Sequence, residues 1–290
     1  MNPPEDRGRG PLRELGRFLE IQNLGLNLPF AVAFLLVASG GLPTLRTTVL
    51  LVVAFVAARN AGHSFNRWTD RDLDAQNPRT RDRALVTGRL SPRFALGVAA
   101  LSGAVVIAAA FLLSPLAFLL SPVALLIVFG YSLTKRRSWA TTVFLGLVEA
   151  VTPAAAFVAV TDSLPLAAWT AVAAMLLWGT AFETIHSLGD LANDLALRLP
   201  SLPAKLGVRD SLRLIPALHG GALVLFAVFG YLEQLEVGYF LLLAAMAVVV
   251  AVIDRGLTRD SGFSRRAFQL HFLLSGLFLV GTLLGLLRLL

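Results

Sequence analysis

The sequence predicts an all-α integral membrane protein: a bundle of nine transmembrane helices whose N-terminus and capping loops lie in the cytoplasm. Three observations predict this class. The 290 residues are 56% hydrophobic and have a mean hydropathy of +0.73, which is too apolar for a soluble domain of this length. The apolar residues form runs long enough to span a bilayer, and the basic residues gather between those runs.

Each of the nine apolar runs contains roughly 17 to 25 residues, the length that a helix needs to cross the hydrocarbon core. Proline falls in the short turns before some of them, where the first turn of a helix tolerates it. The runs lie near residues 22–40, 43–65, 94–113, 116–133, 140–160, 164–187, 212–231, 236–253 and 268–288.

Charge predicts the topology. The basic residues lie almost entirely in the N-terminal segment and in the loops after the second, fourth, sixth and eighth runs. Because cytoplasmic loops carry the excess of Lys and Arg, this pattern places the N-terminus in the cytoplasm. The chain is expected to lie in the cell's inner (plasma) membrane. Residues 1–17 are polar and rich in Arg, Pro and Gly, which predicts a disordered segment. Residues 18–290 are predicted to form one transmembrane domain.

Composition also excludes several functions. The chain has no cysteine, so disulfides, thiolate metal sites and cysteine nucleophiles are excluded. The net charge of +7 does not indicate nucleic-acid binding, because the positive charge is confined to loops between apolar runs. No protein partner is predicted.

A first acidic motif follows the second apolar run. Asn66, Asp70 and Asp74 are spaced four residues apart and share one helical face, whereas Asp72 points elsewhere. Two carboxylates and an amide on one face at a membrane boundary are costly to desolvate unless a cation joins them. Because every ligand is an oxygen, the pattern favours a hard cation, Mg²⁺ before Ca²⁺.

A second acidic motif ends the sixth apolar run, where Asp190 and Asp194 again stand at i and i+4. One such pair is more often a solvated helix end than a site. Two pairs, each at the end of an apolar run and each followed by a basic loop, favour a functional interpretation. Both motifs then lie on the predicted cytoplasmic side, so the site is expected to face the cytoplasm.

Carboxylates, Mg²⁺ and cationic loop residues together suit a diphosphate, and the apolar interior behind them suits a hydrocarbon tail. An isoprenyl diphosphate has both parts. A secondary transporter or cation channel is the alternative from another class. Transporters, however, place their sites near the bilayer midplane on broken helices, whereas these acids cluster at one boundary.

The two motifs and their flanks resemble the UbiA superfamily of intramembrane aromatic prenyltransferases. The motifs are similar to the family patterns N-x-x-x-D-x-x-x-D and D-x-x-x-D. The resemblance runs in order over residues 18–288 and is nearest to the 4-hydroxybenzoate polyprenyltransferase branch, including its menaquinone-pathway members. The flanks that carry it are Leu28-Pro-Phe-Ala, Asn77-Pro-Arg79-Thr-Arg-Asp-Arg83 with Gly88, Tyr131-Ser-Leu-Thr-Lys135 and Ser201-Leu-Pro203-Ala-Lys205-Leu-Gly207.

The resemblance implies a role for each matching position. One or two Mg²⁺ ions and, through them, the diphosphate would be held by Asn66, Asp70, Asp74, Asp190 and Asp194. Phosphate oxygens would be bound by Arg79, Arg83, Lys135 and Lys205, with Arg59 supporting them. Tyr131 would face the allylic cation and act in catalysis with Asp70 and Asp190, although an interfacial tyrosine is an equal alternative at this position.

The acceptor implied by the resemblance is a hydroxylated aromatic ring, such as 4-hydroxybenzoate in quinone biosynthesis, attacking through a ring carbon. Glu183 and Glu149 lie within apolar runs, and a buried acid in a membrane indicates function. Both are candidates for the acceptor site. A naphthoate, chlorin, haem or glycerol phosphate acceptor, or a terpene cyclase with no acceptor, remains an alternative. The helix 1 region, where many family members place a basic residue near the acceptor site, reads Glu20-Ile-Gln22-Asn23 here.

Overall fold

The computed structural model describes residues 16, 18–20, 23–135, 137–259 and 261–287, and within these ranges the chain is helical with no strands. The predicted all-α class is therefore confirmed, whereas the predicted disordered segment 1–17 lies, apart from Gly16, outside the described residues. A 3₁₀ turn at Ser261–Phe263 precedes the last helix. The helices are α1 (Leu24–Ala38), α2 (Leu45–Thr69), α3 (Arg71–Gln76), α4 (Pro92–Leu113), α5 (Pro115–Thr134), α6 (Thr141–Thr161), α7 (Leu166–Ala196), α8 (Leu202–Leu206), α9 (Val208–Leu232), α10 (Val237–Arg259) and α11 (Ser264–Leu286).

Eight of the described helices are long and apolar enough to cross a membrane: α2, α4, α5, α6, α7, α9, α10 and α11. The first predicted run forms α1, which has only 15 residues. At 1.5 Å per residue, α1 is about 22 Å long, shorter than the roughly 30 Å hydrocarbon core. The count of nine spans and the cytoplasmic N-terminus therefore stay predictions.

Side-chain caps fix where several helices begin. The hydroxyl of Thr44 accepts a hydrogen bond from the backbone N–H of Thr47 and caps α2. Ser91 and Ser114 cap α4 and α5 in the same way, and each is followed by a proline at the first helical position. These caps satisfy backbone donors that the helix leaves unpaired at its start.

Two helices extend past their apolar runs and carry the acidic motifs. Helix α2 continues to Thr69, and the i→i−4 hydrogen bonds Asp70 N–H to Asn66 O and Asp74 N–H to Asp70 O carry the helical spacing into α3. Helix α7 continues to Ala196, so Asp190 and Asp194 are both helical. The predicted four-residue spacing on one face therefore holds at both motifs.

The bundle interior is aromatic and tightly packed. The rings of Phe34, Phe226, Phe229 and Phe278 are fully buried where α1, α9 and α11 meet. Helices α6 and α7 approach so closely that an added Cβ at Gly146 would lie 2.6 Å from the carbonyl oxygen of Leu176. This packing fixes the relative position of the two helices that carry Glu149 and the second acidic motif.

Candidate active site

Asp70 lies at the centre of the first motif, at the junction of α2 and α3, and is only 1% exposed. Its Oδ2 accepts hydrogen bonds from Asn66 Nδ2 at 3.0 Å and from Lys135 Nζ at 2.8 Å. Its Oδ1 is buried and has no hydrogen-bond partner in the part of the chain that the structure describes. A buried carboxylate oxygen without a partner is costly, so Asp70 retains a free position for a donor or a cation.

Asp74 and Arg83 form the second contact of the first motif. Arg83 Nη1 donates to Asp74 Oδ1 at 2.9 Å and to Oδ2 at 2.7 Å. The Asp74 carboxylate is buried, and its backbone carbonyl also accepts from the hydroxyl of Thr80. The loop after α3 is thereby folded back onto the motif that precedes it.

Arg79 joins the two motifs. Its Nε donates to Asp190 Oδ1 at 3.2 Å and its Nη2 donates to Oδ2 at 2.5 Å, in the bidentate geometry of an Arg–carboxylate pair. Arg79 belongs to the loop after the first motif, whereas Asp190 lies on α7. Two stretches separated by 111 positions therefore meet at one end of the bundle. Asp194, one turn further along α7, is also buried.

The other cations predicted to bind phosphate have different contacts. Lys205 Nζ lies 4.0 Å from the centroid of the Trp139 ring, in a cation–π contact. Arg59 donates to the backbone carbonyls of Leu19 and Glu20 at 3.1 and 3.3 Å. Trp139 was not singled out by the sequence, and its place in the short loop between two apolar runs is the only signal it gives.

The candidate ligand atoms are oxygens, which suit a hard cation, but they are not gathered around one point in this structure. No group of three or more His, Cys, Asp or Glu side chains within the described ranges stands close enough to hold a metal ion. The available ligands are the carboxylates of Asp70, Asp74, Asp190 and Asp194 and the amide oxygen of Asn66, all oxygens that Mg²⁺ favours. The unpartnered Oδ1 of Asp70 is the atom that such an ion would satisfy.

Glu20 is a further charged residue at this end of the bundle. Its Oε1 accepts from Arg67 Nη2 at 2.6 Å and lies 4.0 Å from Arg83 Nη2, while its Oε2 lies 3.9 Å from His63 Nδ1. Burial raises the pKa of this carboxyl, but the neighbouring His63, Arg67 and Arg83 outweigh burial and lower that pKa to about 2. Sequence reasoning noted Glu20 as unusual for its position but did not predict these contacts.

This lowered pKa predicts a pH-dependent contribution to stability. The pKa of Glu20 is 4.5 without these contacts and about 2 with them, so its stabilisation is complete above pH 4.5 and is lost as the pH falls towards 2. A pKa shift of this size corresponds to a contribution of at most roughly 3 kcal/mol to the free energy of unfolding. We expect Glu20→Gln to lower the melting temperature in detergent at pH 6 and to lower it much less at pH 3. A difference that stays constant with pH would contradict this account, and Glu236→Gln, an exposed glutamate, is the control.

A small cavity lies between α1, α6, α7 and α11. Asn27 Nδ2 donates to Glu149 Oε1 at 2.7 Å in its wall. Glu183 lies on α7 seven positions before Asp190, about two helical turns away on nearly the same face. Tyr131 is partly buried near the end of α5, one turn before Lys135. The lining residues are Leu26, Asn27, Phe30, Glu149, Trp178, Gly179, Phe182 and His271.

A helical membrane bundle with two acidic motifs at one end, paired with basic side chains above an apolar interior, defines the class of membrane-embedded prenyltransferases. The chain belongs to the UbiA prenyltransferase family, whose model matches residues 27–285. It is an integral membrane protein on the strength of that membership and of its long apolar helices.

Named relatives and solved structures agree with this membership. The chain is 32% identical to a 4-hydroxybenzoate octaprenyltransferase of Shewanella halifaxensis over 67% of this chain and 68% of the relative. It is also 32% identical to a 4-hydroxybenzoate octaprenyltransferase of Aeromonas hydrophila, over 73% of this chain and 74% of the relative. An apo UbiA homolog from Aeropyrum pernix K1 superposes with a TM-score of 0.81 at 31% identity, covering 90% of this chain and 97% of that one. A UbiA homolog from Archaeoglobus fulgidus bound to GPP and Mg²⁺ shares the fold, with a TM-score of 0.75 at 20% identity over 93% and 98%.

Proposed function

We propose that this protein transfers a prenyl group from an isoprenyl diphosphate to a ring carbon of a hydroxylated aromatic acceptor in quinone biosynthesis. The reaction would depend on one or two Mg²⁺ ions, and the active site would face the cytoplasm from the inner membrane. The single observation that carries the proposal is the set of three carboxylate–cation pairs: Asp70–Lys135, Asp74–Arg83 and Asp190–Arg79. The names of the curated relatives support the same reaction class.

The pairs suggest how the site accepts its substrate. Without substrate, the negative partners of Lys135, Arg83 and Arg79 are aspartates. A diphosphate is also negatively charged, so each cation can exchange a carboxylate for a phosphate oxygen. The released carboxylates, together with Asn66 and Asp194, would hold Mg²⁺, which would supply neutralisation of the leaving diphosphate. Lys205, held on the face of Trp139, and Arg59, held by backbone carbonyls, are proposed to join the phosphate shell from those positions.

The proposed reaction replaces the C–O bond of the allylic carbon with a C–C bond. The allylic C–O bond breaks with its electron pair leaving on the diphosphate, and a ring carbon of the acceptor forms the new C–C bond. The proton of that ring carbon is lost to solvent or to the released pyrophosphate. Tyr131 is proposed to face the developing allylic cation, since a phenol ring stabilises positive charge. Glu183 and Glu149 are proposed to line the acceptor side.

The test is pyrophosphate release by the purified protein in detergent. Geranyl or farnesyl diphosphate is supplied with Mg²⁺, with and without 4-hydroxybenzoate, and products are identified by mass spectrometry. Release that requires 4-hydroxybenzoate and yields a prenylated ring would support the proposal in full. Release without that requirement would shift the assignment to another acceptor or to cyclisation. No release with any acceptor of a panel would contradict the enzyme assignment and favour transport, which proteoliposome flux would detect.

Removing Mg²⁺ with a chelator provides a second test in the same assay. Adding excess EDTA is expected to reduce prenyl transfer by a hundredfold or more, on the order of the several kcal/mol that a metal contributes to stabilising a leaving diphosphate. Restoring free Mg²⁺ should restore the rate, whereas the same concentration of NaCl should not. A rate indifferent to EDTA would contradict the metal assignment while leaving the fold and family untouched.

A further inference from the structure

A stripe of basic side chains runs along α2 beside the first acidic motif. Arg59, His63 and Arg67 stand four residues apart, so they share one face of the helix. None of the three belongs to the acidic motif, which occupies an adjacent face of the same helix. A buried cation needs an anionic or polar partner. The partners of this stripe come from the segment that precedes α1.

That segment, residues 18–20, is packed firmly against the bundle. The Phe18 ring is 1% exposed and packs with Leu85 of the loop after α3 and with Ala95 of α4. The Arg67 guanidinium lies 5.3 Å from the centroid of the same ring. Two hydrogen bonds from α2 to backbone carbonyls hold the segment from the other side. The side chain that ends the segment, Glu20, is therefore held in a defined place.

Glu20 presents one carboxylate oxygen to two arginines. Its Oε1 accepts a hydrogen bond from Arg67 Nη2 at 2.6 Å and lies 4.0 Å from Arg83 Nη2. Arg83 also donates to both carboxylate oxygens of Asp74. The Arg83 guanidinium thus faces two carboxylates, one from the first acidic motif and one from the segment before α1. An anion that binds Arg83 must compete with both of them.

Arg67 is a buried cation whose hydrogen-bond donors are not all used. The residue is 7% exposed, and its Nε is buried with no hydrogen-bond partner in the part of the chain that the structure describes. Glu20 supplies its one ion pair among the described residues. A guanidinium has five N–H donors, and a buried donor without a partner is costly. A single carboxylate leaves Arg67 incompletely satisfied, whereas a diphosphate offers several more acceptor oxygens.

We propose that Glu20 is an internal anion that occupies Arg67 and Arg83 until the diphosphate replaces it, and that Arg67 is a further diphosphate-binding residue. This inference rests on the proposed function and adds a residue to the phosphate-binding cations assigned above. A diphosphate carries more negative charge than one carboxylate, so it forms the stronger contacts with both guanidiniums. The Glu20 side chain is partly exposed, so its carboxylate can turn into water once it is displaced.

The proposal gives the two members of this ion pair opposite effects on substrate affinity. Glu20 competes with the diphosphate, so removal of its charge strengthens binding. Arg67 contacts the diphosphate, so removal of its charge weakens binding. A purely structural ion pair would weaken binding in both variants, because each variant breaks the same contact and leaves one buried partner unpaired. The sign of the change for Glu20 therefore separates competition from support.

The test measures binding of geranyl thiolodiphosphate, an unreactive analogue of the prenyl substrate, to the full-length protein in detergent with Mg²⁺ by calorimetry. Glu20→Gln is expected to bind the analogue about fivefold or more tightly than wild type, and Arg67→Gln about fivefold or more weakly. A fivefold change is the lower end of the usual coupling between two interacting sites. Arg67→Lys, which retains the charge, should lie between Arg67→Gln and wild type. Glu236→Gln, at an exposed glutamate, is the control and should bind as wild type does.

Tighter binding by Glu20→Gln together with weaker binding by Arg67→Gln would support the proposal. A loss of folding cannot produce tighter binding, and Glu20→Gln is expected to be less stable than wild type while binding more tightly. Unchanged or weaker binding by Glu20→Gln would overturn the competition, and unchanged binding by Arg67→Gln would overturn the role of Arg67 even if Glu20→Gln did not fold. Wild type that does not bind the analogue at all would overturn the proposed function and this inference with it.

Discussion

Replacing Asp70 with asparagine is expected to lower prenyl transfer by about a thousandfold or more while the protein still folds and inserts. Asp70 accepts from Asn66 and Lys135 and keeps Oδ1 unpartnered within the described chain, so its negative charge is the centre of the proposed metal and diphosphate site. Asparagine has nearly the same shape and can still accept from both neighbours, but it removes the charge that holds the cation. A loss of about 4 kcal/mol of transition-state stabilisation corresponds to that thousandfold effect. Pyrophosphate release and product mass spectrometry measure it.

The chain provides a matched control for this variant two positions away. The Asp72 side chain is 74% exposed and its only described ion pair, with the neighbouring Arg71, is 3.8 Å long. Asp72→Asn removes the same charge from the same stretch and is expected to leave the rate within about twofold. Asp190→Asn on α7 should reproduce the loss seen for Asp70. If Asp70→Asn and Asp190→Asn both retained wild-type turnover with intact folding, the assignment of the acidic motifs would be wrong.

The pairing of the aspartates with cations also explains why so many charges persist at one end of an apolar bundle. An unpaired carboxylate at this depth costs several kcal/mol, and a buried ion pair roughly balances that cost without adding much stability. The Asp74–Arg83 pair is of this kind, whereas the Asp190–Arg79 pair is exposed and screened by water, so both contribute little to folding. Only the Asp190–Arg79 pair joins the loop to α7. The pairs offset the energetic cost of the aspartates when no substrate is bound, and they keep the cations close to an incoming diphosphate.

Sequence reasoning predicted the spacing of the acidic motifs because helical periodicity is a local property. The α2 helix carries its hydrogen bonds through Asp70 to Asp74, so residues four apart remain on one face as expected. The predicted apolar run ended at residue 65, whereas the helix continues to Thr69; polar residues at a membrane boundary end a hydropathy run without ending a helix. The first run shows the opposite effect: α1 ends at Ala38, before its apolar run does, because Gly40 and Gly41 follow with positive φ.

Contacts between distant parts of the chain could not be predicted from one sequence. Such contacts depend on how the loops fold over the end of the bundle. Examples are the pairs Arg79–Asp190, Arg67–Glu20 and Lys205–Trp139. Neither hydropathy nor charge spacing carries that information. Glu20 gave one signal, an acid where related chains often carry a base, and its meaning became clear only from the cations around it.

Placing a side chain at Gly146 is expected to have the largest effect on the fold. An added Cβ would lie 2.6 Å from the backbone carbonyl oxygen of Leu176 and 2.9 Å from the backbone nitrogen of Thr180, distances that real Cβ atoms do not adopt. Because the obstacle is backbone, α6 and α7 must move apart. Gly146→Val is expected to destabilise the protein by about 3 kcal/mol or more, beyond the usual cost of overpacking. Thermal unfolding in detergent measures the loss.

The same close approach explains why this change should also reach the active site. Gly179 of α7 faces Gly146 from the other side, with an added Cβ there only 3.0 Å from Glu149 Cβ, and Gly179 and Glu149 both line the cavity. Separating the helices would shift the Asn27–Glu149 hydrogen bond and the pocket wall together. Gly97→Ala, at a helical glycine whose Cβ would meet nothing within 4 Å, should leave both stability and turnover near wild type. A Gly146→Val protein as stable as wild type would show that α6 and α7 do not pack at this distance in the membrane, and that the cavity wall is not held by this contact.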